Sequence, residues 1–589
     1  MADFVMDYPK TILPNLAFTG GINCASTNCL TPYTPHHDSS TQRYKTFCSS
    51  SNKRWPQQRW LQPWPWPLVG LALCVIFLGF AKGEKLLVIP FDGSHWLSMR
   101  EVVQELSLRS HQSVVLAPEV FLHIRQEESY ILKTFPVTLS KDLFHEMMRN
   151  NFHKIFHQEP FLKRLFDMIT VMKNASEINV GFCKELFYNK DLMKSLEEAH
   201  YDAILTAPFS PCGAVVAQYL FVPAVYFLRG LPCDLDAEST QCPDPPSYIP
   251  RLGTENTDRM TFLQRVKNIL YSLFQKGVCH MLHSPFTRLD SEILQRDVNI
   301  VDVLSHGSVW LVRTDFVMDY PKPIMPNMVF IGGINCASAK QLTQEFETHV
   351  NASGEHGIVV FSLGSLVLDI PITKAMEIAE ALGTIPQTVL WRYTGTPPTN
   401  LAKNTKLVKW LPQNDLLAHP KTRAFITHAG SHGVYEGLCN GVPVVLMPLF
   451  ADQMDNAKRM ESKGAGVTLN VLEMTSDDLS KALKKVINDK SYKENIIHLS
   501  ALHKDRPISP LDLAVFWVEF VMRNKGAPHL RAAAHDLNWI QYHSLDVIAF
   551  LLAIVLTVVL IVVKCLKFCF QKCFGKKGKA KKATKPKSH

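Results

Sequence analysis

Short apolar runs alternate with stretches of helical periodicity along this chain, the pattern of a parallel α/β sheet rather than of hairpins. Residues 85–91 (KLLVIPF) read as a buried strand. Met99, Val102, Val103 and Leu106 then fall on one helical face, and residues 113–117 read as the next strand, a βαβ opening. Another strand is expected at 201–205. In the second half, strands are expected at 357–363, 388–393, 424–427 and 442–448, with helices at 373–382, 433–439 and 477–487, the last capped by Ser476. An apolar helix at 511–522 is expected to return and pack across both domains. Residues 143–172, rich in Phe, Leu and Met among basic residues, suit a helical lid, a membrane-leaning face or plain core. Residues 324–354, with prolines, a GGIN turn and a polar stretch, read as an interdomain linker.

The chain ends shift the picture from a soluble protein to an anchored one. Residues 547–563 are uninterruptedly apolar, close to the roughly 20 residues a bilayer core requires, and Lys564 and Lys567 follow at once. The net charge of +9 resides in the acid-free stretch 564–587, so no nucleic-acid partner is implied. By the positive-inside rule that tail is cytosolic and everything before the span lies on the other side. The sequons Asn174-Ala-Ser176 and Asn351-Ala-Ser353 are usable only there. Cys183, Cys212, Cys233, Cys242, Cys279, Cys336 and Cys439 would share that compartment; they contain no metal-type CxxC pair, so no zinc site is expected and the pairing stays open. Cys565, Cys569 and Cys573 recur at one-turn spacing beside the membrane, as palmitoylation sites or as unused thiols.

At the other end, residues 68–80 have the length of a signal-peptide core, preceded by Lys53, Arg54 and Arg59 and followed by the small-x-small triplet Ala81-Lys82-Gly83. They start far from Met1. Residues 3–26 (DFVMDYPKTILPNLAFTGGINCAS) nearly repeat 315–338 without the strands that surround the second copy, so residues 1–67 are set outside the fold.

Candidate chemistry concentrates in residues 410–453 (WLPQNDLLAHPKTRAFITHAGSHGVYEGLCNGVPVVLMPLFADQ). The loop His428-Ala429-Gly430-Ser431-His432-Gly433 joins a strand to a helix, where small residues let backbone N–H groups and a helix dipole meet a diphosphate. Trp410 can stack on a base, Glu436 can accept from ribose hydroxyls, and Asp452 and Gln453 can hold sugar hydroxyls. In the first half, the loop Asp92-Gly93-Ser94-His95-Trp96 puts His95 at a strand end and a helix start, and imidazole suits taking a proton from a hydroxyl near neutral pH.

The wording FITHAGSHGVYEG and MPLFADQMDNAKRM resembles the UDP-glucuronosyltransferases, most closely their 1A subfamily, from about Glu84 to His589. The resemblance implies two Rossmann-like α/β domains facing a cleft (GT-B): an acceptor domain at 84–335, a linker at 336–356 and a UDP-sugar domain at 357–525. A juxtamembrane segment (526–546), the span (547–563) and the tail (564–589) follow, after a signal-like segment at 68–83. It places Trp410 and Gln413 at the uracil, His428, Gly430, Ser431, His432 and Gly433 with Ser365 at the diphosphate, Glu436 at the ribose, and Asp452 and Gln453 at the sugar. It makes the DGSHW loop catalytic, with His95 as the base. It implies UDP-glucuronate as co-substrate, no cofactor, small lipophilic acceptors, an endoplasmic reticulum membrane location reinforced by the dilysine-like end Lys585-Pro-Lys587, and oligomers with itself or related transferases left open. No metal is implied, since no D-x-D pair lies near the diphosphate loop. In one respect the chain departs from the family pattern: the aspartate that should orient His95 is Ala207, in Leu205-Thr206-Ala207-Pro208. Two readings follow, an inverting glucuronosyl transferase or a catalytically weakened donor-binding subunit. Glucose as the sugar also stays open.

Overall fold

The computed structural model describes residues 83–575 apart from 157, 158, 337, 366, 368 and 369. The signal-like segment to residue 82, the repeated stretch and the end of the basic tail lie outside the described residues.

Two all-parallel sheets carry the fold. The first has seven strands in the order β3-β2-β1-β4-β5-β6-β7, from β1 (Lys85–Ile89), β2 (Gln112–Pro118) and β3 (Ile131–Phe135) through β4 (Ala203–Thr206), β5 (Ala224–Leu228), β6 (Gly307–Val312) and β7 (Met328–Phe330). The second has six in the order β10-β9-β8-β11-β12-β13: β8 (Ile358–Ser362), β9 (Thr388–Arg392), β10 (Thr405–Val408), β11 (Thr422–Thr427), β12 (Val444–Leu446) and β13 (Gly466–Thr468). Each order reverses once, between β1 and β4 and between β8 and β11, and such switch points open the crevice in which α/β proteins bind ligands. Helices cover both faces, so the strands are buried on both sides and read as unbroken apolar runs: β1 buries Leu86, Leu87 and Val88 completely, and β11 does the same with Phe425 and Ile426.

The predicted apolar faces are the buried ones. On helix Ser94–Leu108, Met99, Val102, Val103 and Leu106 are fully buried against the first sheet. Helix Ser476–Asn488 is capped by Thr475, not by Ser476: Thr475 accepts from the Asp478 N–H and the Asp478 carboxylate reaches back, a capping box that only its own register permits. Helix Pro510–Asn524 buries Ala514, Val515, Val518, Val521 and Met522 in the core of the first sheet, so the chain returns onto the N-terminal half instead of spanning both. The polar part of the stretch expected as linker carries helix Gln344–Ala352, and its apolar start supplies β7.

Residues 143–172 form the helix Lys141–Lys154 and the first part of helix Phe161–Tyr188. Plain core does not describe them, because Leu162 is 76% and Phe166 is 70% exposed. Phe156, between the two helices, is instead buried in the core of the second sheet, so this excursion from the first half reaches over to the other. Disulfides join Cys183 to Cys212, Cys233 to Cys279 and Cys336 to Cys439, and Cys242 is left as a thiol, which accounts for the odd set. The helix Leu545–Phe574 contains an 18-residue window with a mean hydropathy of 3.1 and is long and apolar enough to cross a membrane. It continues past the predicted 563, so Cys565, Cys569 and Cys573 sit exposed on its last turns.

Candidate active site

Every expected site residue lies at the carboxyl end of a strand or in the helix that follows. β1 and β4 are neighbours, paired Ile89 with Thr206, so the His95 loop and Ala207 emerge side by side. Gly93 takes φ 77° to turn the chain into helix Ser94–Leu108, whose second residue is His95. The imidazole is half-buried between Phe91 (centroids 5.8 Å apart) and Phe209 (6.2 Å). Its Nδ1 is shut off from solvent without a hydrogen-bond partner. Burial, reinforced by the Arg313 guanidinium, pushes its pKa down to about 3, so the ring is neutral but a poor proton acceptor.

Neither nearby acid replaces the missing aspartate. Asp92 is consumed by its own loop, accepting from the N–H groups of Gly93, Leu122 and His123 and from His123 Nδ1. Asp202 lies at the start of β4, far along the strand from Ala207, and accepts from the Lys85 N–H at 2.7 Å and from Lys525. Beside Ala207, Phe91, Phe121, Phe135, Phe182 and Leu186 line a small apolar hollow.

On the other sheet, β8 and β11 deliver Ser365 and His428 to adjacent loops. They are packed backbone to ring: a Cβ on Gly364 or on Gly430 would lie 2.5 Å from the His428 imidazole. His428 is held neutral by burial, its pKa pushed down to about 4, and its Nδ1 also lacks a partner. Ala429 (φ 63°) and Ala451 (φ 56°) both adopt the left-handed conformation, which costs a non-glycine residue on the order of 1 kcal/mol and collects at ligand-binding turns. The N–H groups of Ser431, His432 and Gly433 open the nine-residue helix Ser431–Cys439, whose N-terminus attracts an anion.

Trp410 is 59% exposed. The Arg392 guanidinium sits 4.8 Å from its ring centre, which fixes the indole and leaves its other face for a base. Gln413 donates to the Glu436 carboxylate, so the two residues expected at uracil and ribose touch. Asp452 accepts from Asn456 Nδ2 at 2.8 Å, while Asn456 also donates to the Ala429 carbonyl. Gln453 is placed differently from a free sugar ligand: its carboxamide oxygen accepts from the Leu449 and Phe450 N–H groups, leaving only the amide N–H₂ to offer.

The halves meet through polar side chains. Arg229 makes a two-pronged ion pair with Asp319 (2.9 and 2.7 Å) and donates to Asn456, and Arg459 closes on Asp319 at 3.0 Å. These opposed charges hold the Asp319 carboxyl far below its ordinary range despite burial. Cys336, Cys439 and His503 bring three soft ligand atoms together, but both sulfurs are spent in the disulfide, and His503 is held by Asp315.

The family model described as UDP-glucoronosyl and UDP-glucosyl transferase matches residues 84–580. The chain belongs to this family. It is 63% identical to human UDP-glucuronosyltransferase 1A3 over 527 residues, 90% of this chain and 99% of that protein. It is 64% identical to rabbit (Oryctolagus cuniculus) UDP-glucuronosyltransferase 1A4 over 524 residues, 89% and 98% of the two chains. Among solved structures, Os79 from O. sativa in complex with UDP aligns with a TM-score of 0.52 at 17% identity, covering 75% of this chain and all of that one. The likeness supports the GT-B fold: two Rossmann-like domains facing a cleft.

Within this family member, sequence reading overlooked Arg229, Arg313 and Arg392. All three stand at a strand's carboxyl end: immediately after β5, immediately after β6, and as the last residue of β9. That placement was the available signal, since a basic residue closing an apolar strand points into the crevice.

Proposed function

We propose that the protein transfers glucuronic acid, with inversion, from UDP-glucuronate to hydroxyl or amine groups of small lipophilic acceptors. The observation that carries this is the convergence of the two switch points: the His95 loop and the His428 loop are joined side chain to side chain by Ser98 and His432, 3.3 Å apart. An acceptor bound over the Phe-lined hollow would donate its O–H to His95 Nε2. The oxygen then attacks the anomeric carbon as the bond from that carbon to UDP breaks. The electron pair leaves with the diphosphate, stabilised by the N–H groups and dipole of helix Ser431–Cys439. The proton stays on His95. No cofactor enters this scheme.

Arg313 supports glucuronate over glucose. It is 4% exposed, forms no ion pair among the described residues and leaves its Nε unpartnered. Burial pulls its pKa down to about 10 even though Asp452 lies close enough to oppose the shift, so a cation short of an anion sits on the sugar side of the cleft. A uronate carboxylate would complete it. Arg313→Met should therefore cost at least about tenfold in preference for UDP-glucuronate over UDP-glucose, with UDP affinity retained. Competition between the two donors for one phenol measures this, and an unchanged preference would remove Arg313 from sugar selection.

The orphaned His95 Nδ1 favours a second reading, a donor-binding subunit with weakened chemistry that associates with active relatives. Steady turnover of UDP-glucuronate with a phenol by the purified chain alone separates the two.

For location we propose a single-pass protein of the endoplasmic reticulum membrane, with both sheets lumenal, the tail cytosolic and the membrane a standing partner. Asn174 and Asn351 are exposed, as glycan acceptors must be. In sealed microsomes, protease should remove only the tail, and both asparagines should carry endoglycosidase-sensitive glycans. Cleavage near Asn351 in sealed vesicles would reverse the orientation.

A further inference from the structure

Ser98 is completely buried one turn after His95 on helix Ser94–Leu108, and its hydroxyl is saturated. Arg313 Nη1 donates to it at 2.9 Å, it donates to Asn335 Oδ1 at 2.7 Å with the Ser94 carbonyl at 3.0 Å, and His432 Nδ1 lies at 3.3 Å. A hydroxyl has one proton and two lone pairs. With one lone pair taken by Arg313, the hydroxyl and His432 Nδ1 share a hydrogen bond whose donor is set by the His432 tautomer. His432 is the second residue of helix Ser431–Cys439, and its Nε2 faces Glu436 Oε1 at 3.4 Å. One side chain thus ties the second turn of the acceptor-side helix to the first turn of the donor-side helix, and Asn335 adds the segment that joins the two sheets.

From this we infer that Ser98 is a positioning residue: the Ser98–His432 bridge pins the two helix N-termini together and sets the reach from His95 to the donor's anomeric carbon. The inference rests on the UDP-sugar reading above. Ser98 touches neither substrate. Its removal should leave the donor half's grip on UDP intact while loosening the distance across which the proton and the sugar move, and reactions of this kind are sensitive to about 1 Å of misplacement, worth up to 10²-fold. A cleft that closes loosely also admits water to the anomeric carbon.

The experiment uses the full-length protein in lipid nanodiscs, with UDP binding by calorimetry and a phenol acceptor. Ser98→Ala is expected to lower kcat for transfer at least tenfold, to change the UDP dissociation constant less than twofold, and to raise the share of UDP-glucuronate lost to hydrolysis at least threefold. Ser98→Thr, which keeps the hydroxyl, should recover most of the transfer rate. Because His432 and Ser98 act through one bond, Ser98→Ala combined with His432→Ala should be no slower than the slower single variant. Additive losses in the double variant, or an unchanged division between transfer and hydrolysis in Ser98→Ala, would overturn the pin. So would a parallel loss of UDP affinity and thermal stability in Ser98→Ala that Ser98→Thr does not repair, which marks a purely structural role. Failure of the unmodified protein to bind UDP at all would overturn the UDP-sugar reading, and the pin with it.

Discussion

Ala207→Asp is expected to raise transfer to aliphatic alcohols by about 10²-fold or more, the range that an effective general base contributes. The native His95 is neutral near pH 7, so it can accept a proton in principle. What it lacks is a group to stabilise the imidazolium once the proton arrives: Nδ1 has no partner, and the Arg313 cation opposes protonation. An aspartate after β4 would receive Nδ1–H and balance the new charge, as in better-known triads where the orienting carboxylate is worth roughly 10⁴ in turnover. The gain must depend on the acceptor. An alcohol has to lose its proton in the transition state, a phenol is partly ionised beforehand, and a tertiary amine has no proton to lose. Phenol and amine transfer should therefore rise much less.

The same substitution has a pH signature. With a pKa of about 3, native His95 stays deprotonated from pH 5 to 8, so alcohol kcat/KM should show no titration of this group there. A carboxylate partner favours the protonated ring and moves its pKa back toward the ordinary value near 6.5, so in Ala207→Asp the rate should fall as pH drops through that region. Equal alcohol turnover in both forms, with two flat profiles, would sink the assignment of His95 as a base that lacks only its aspartate. Ala207 is itself 2% exposed, so the new carboxylate is tolerable only if His95 pairs with it, and Ala207→Asp combined with His95→Ala should unfold at a lower temperature than Ala207→Asp alone.

Asp452→Asn should lower glucuronosyl transfer at least about 10²-fold, because a charged hydrogen bond to a sugar hydroxyl is worth roughly 1.5–3 kcal/mol and part of it is made only during transfer. The isosteric amide retains the oxygen that accepts from Asn456 and so leaves the Ala429 turn in place. UDP alone should bind with little change, since Trp410, Gln413 and Glu436 do not depend on Asp452. Gln453→Ala is a less clean probe: its carboxamide oxygen holds the Leu449 and Phe450 N–H groups, so its loss disturbs the left-handed turn at Ala451 as well as any sugar contact. Undiminished turnover by Asp452→Asn, with the protein folded and UDP bound, would reject the sugar subsite.

Much of the fold was legible because local rules decided it. Parallel strands covered on both faces must be apolar throughout, so residues 85–91 and 424–427 announced themselves, and the stripe Met99, Val102, Val103 and Leu106 could bury only as one helical face. The strand-to-helix loops at His95 and at His428 were legible for the same reason, since small residues after an apolar run mark where a ligand can approach. The long apolar helix Leu545–Phe574 followed from length and hydropathy alone, requiring no partner.

What the sequence could not decide depended on which distant residues meet. The Thr475 cap outcompeted Ser476 by a register difference of one residue, which capping geometry rather than residue type selects. Three disulfides among the seven cysteines between residues 183 and 439 required the helices to be in place before any sulfur had a neighbour. The exclusion of Asp202 from the His95 site is likewise tertiary: strand polarity puts it at the amino end of β4, against Lys85 and Lys525, whatever its closeness in the sequence. Ser98, bound at once by Arg313, Asn335 and His432, joins positions more than two hundred residues apart in sequence. No periodicity encodes such contacts, because hydrophobic pattern fixes which face of an element is buried, whereas the partner of a buried polar atom is chosen only when the two sheets close on each other.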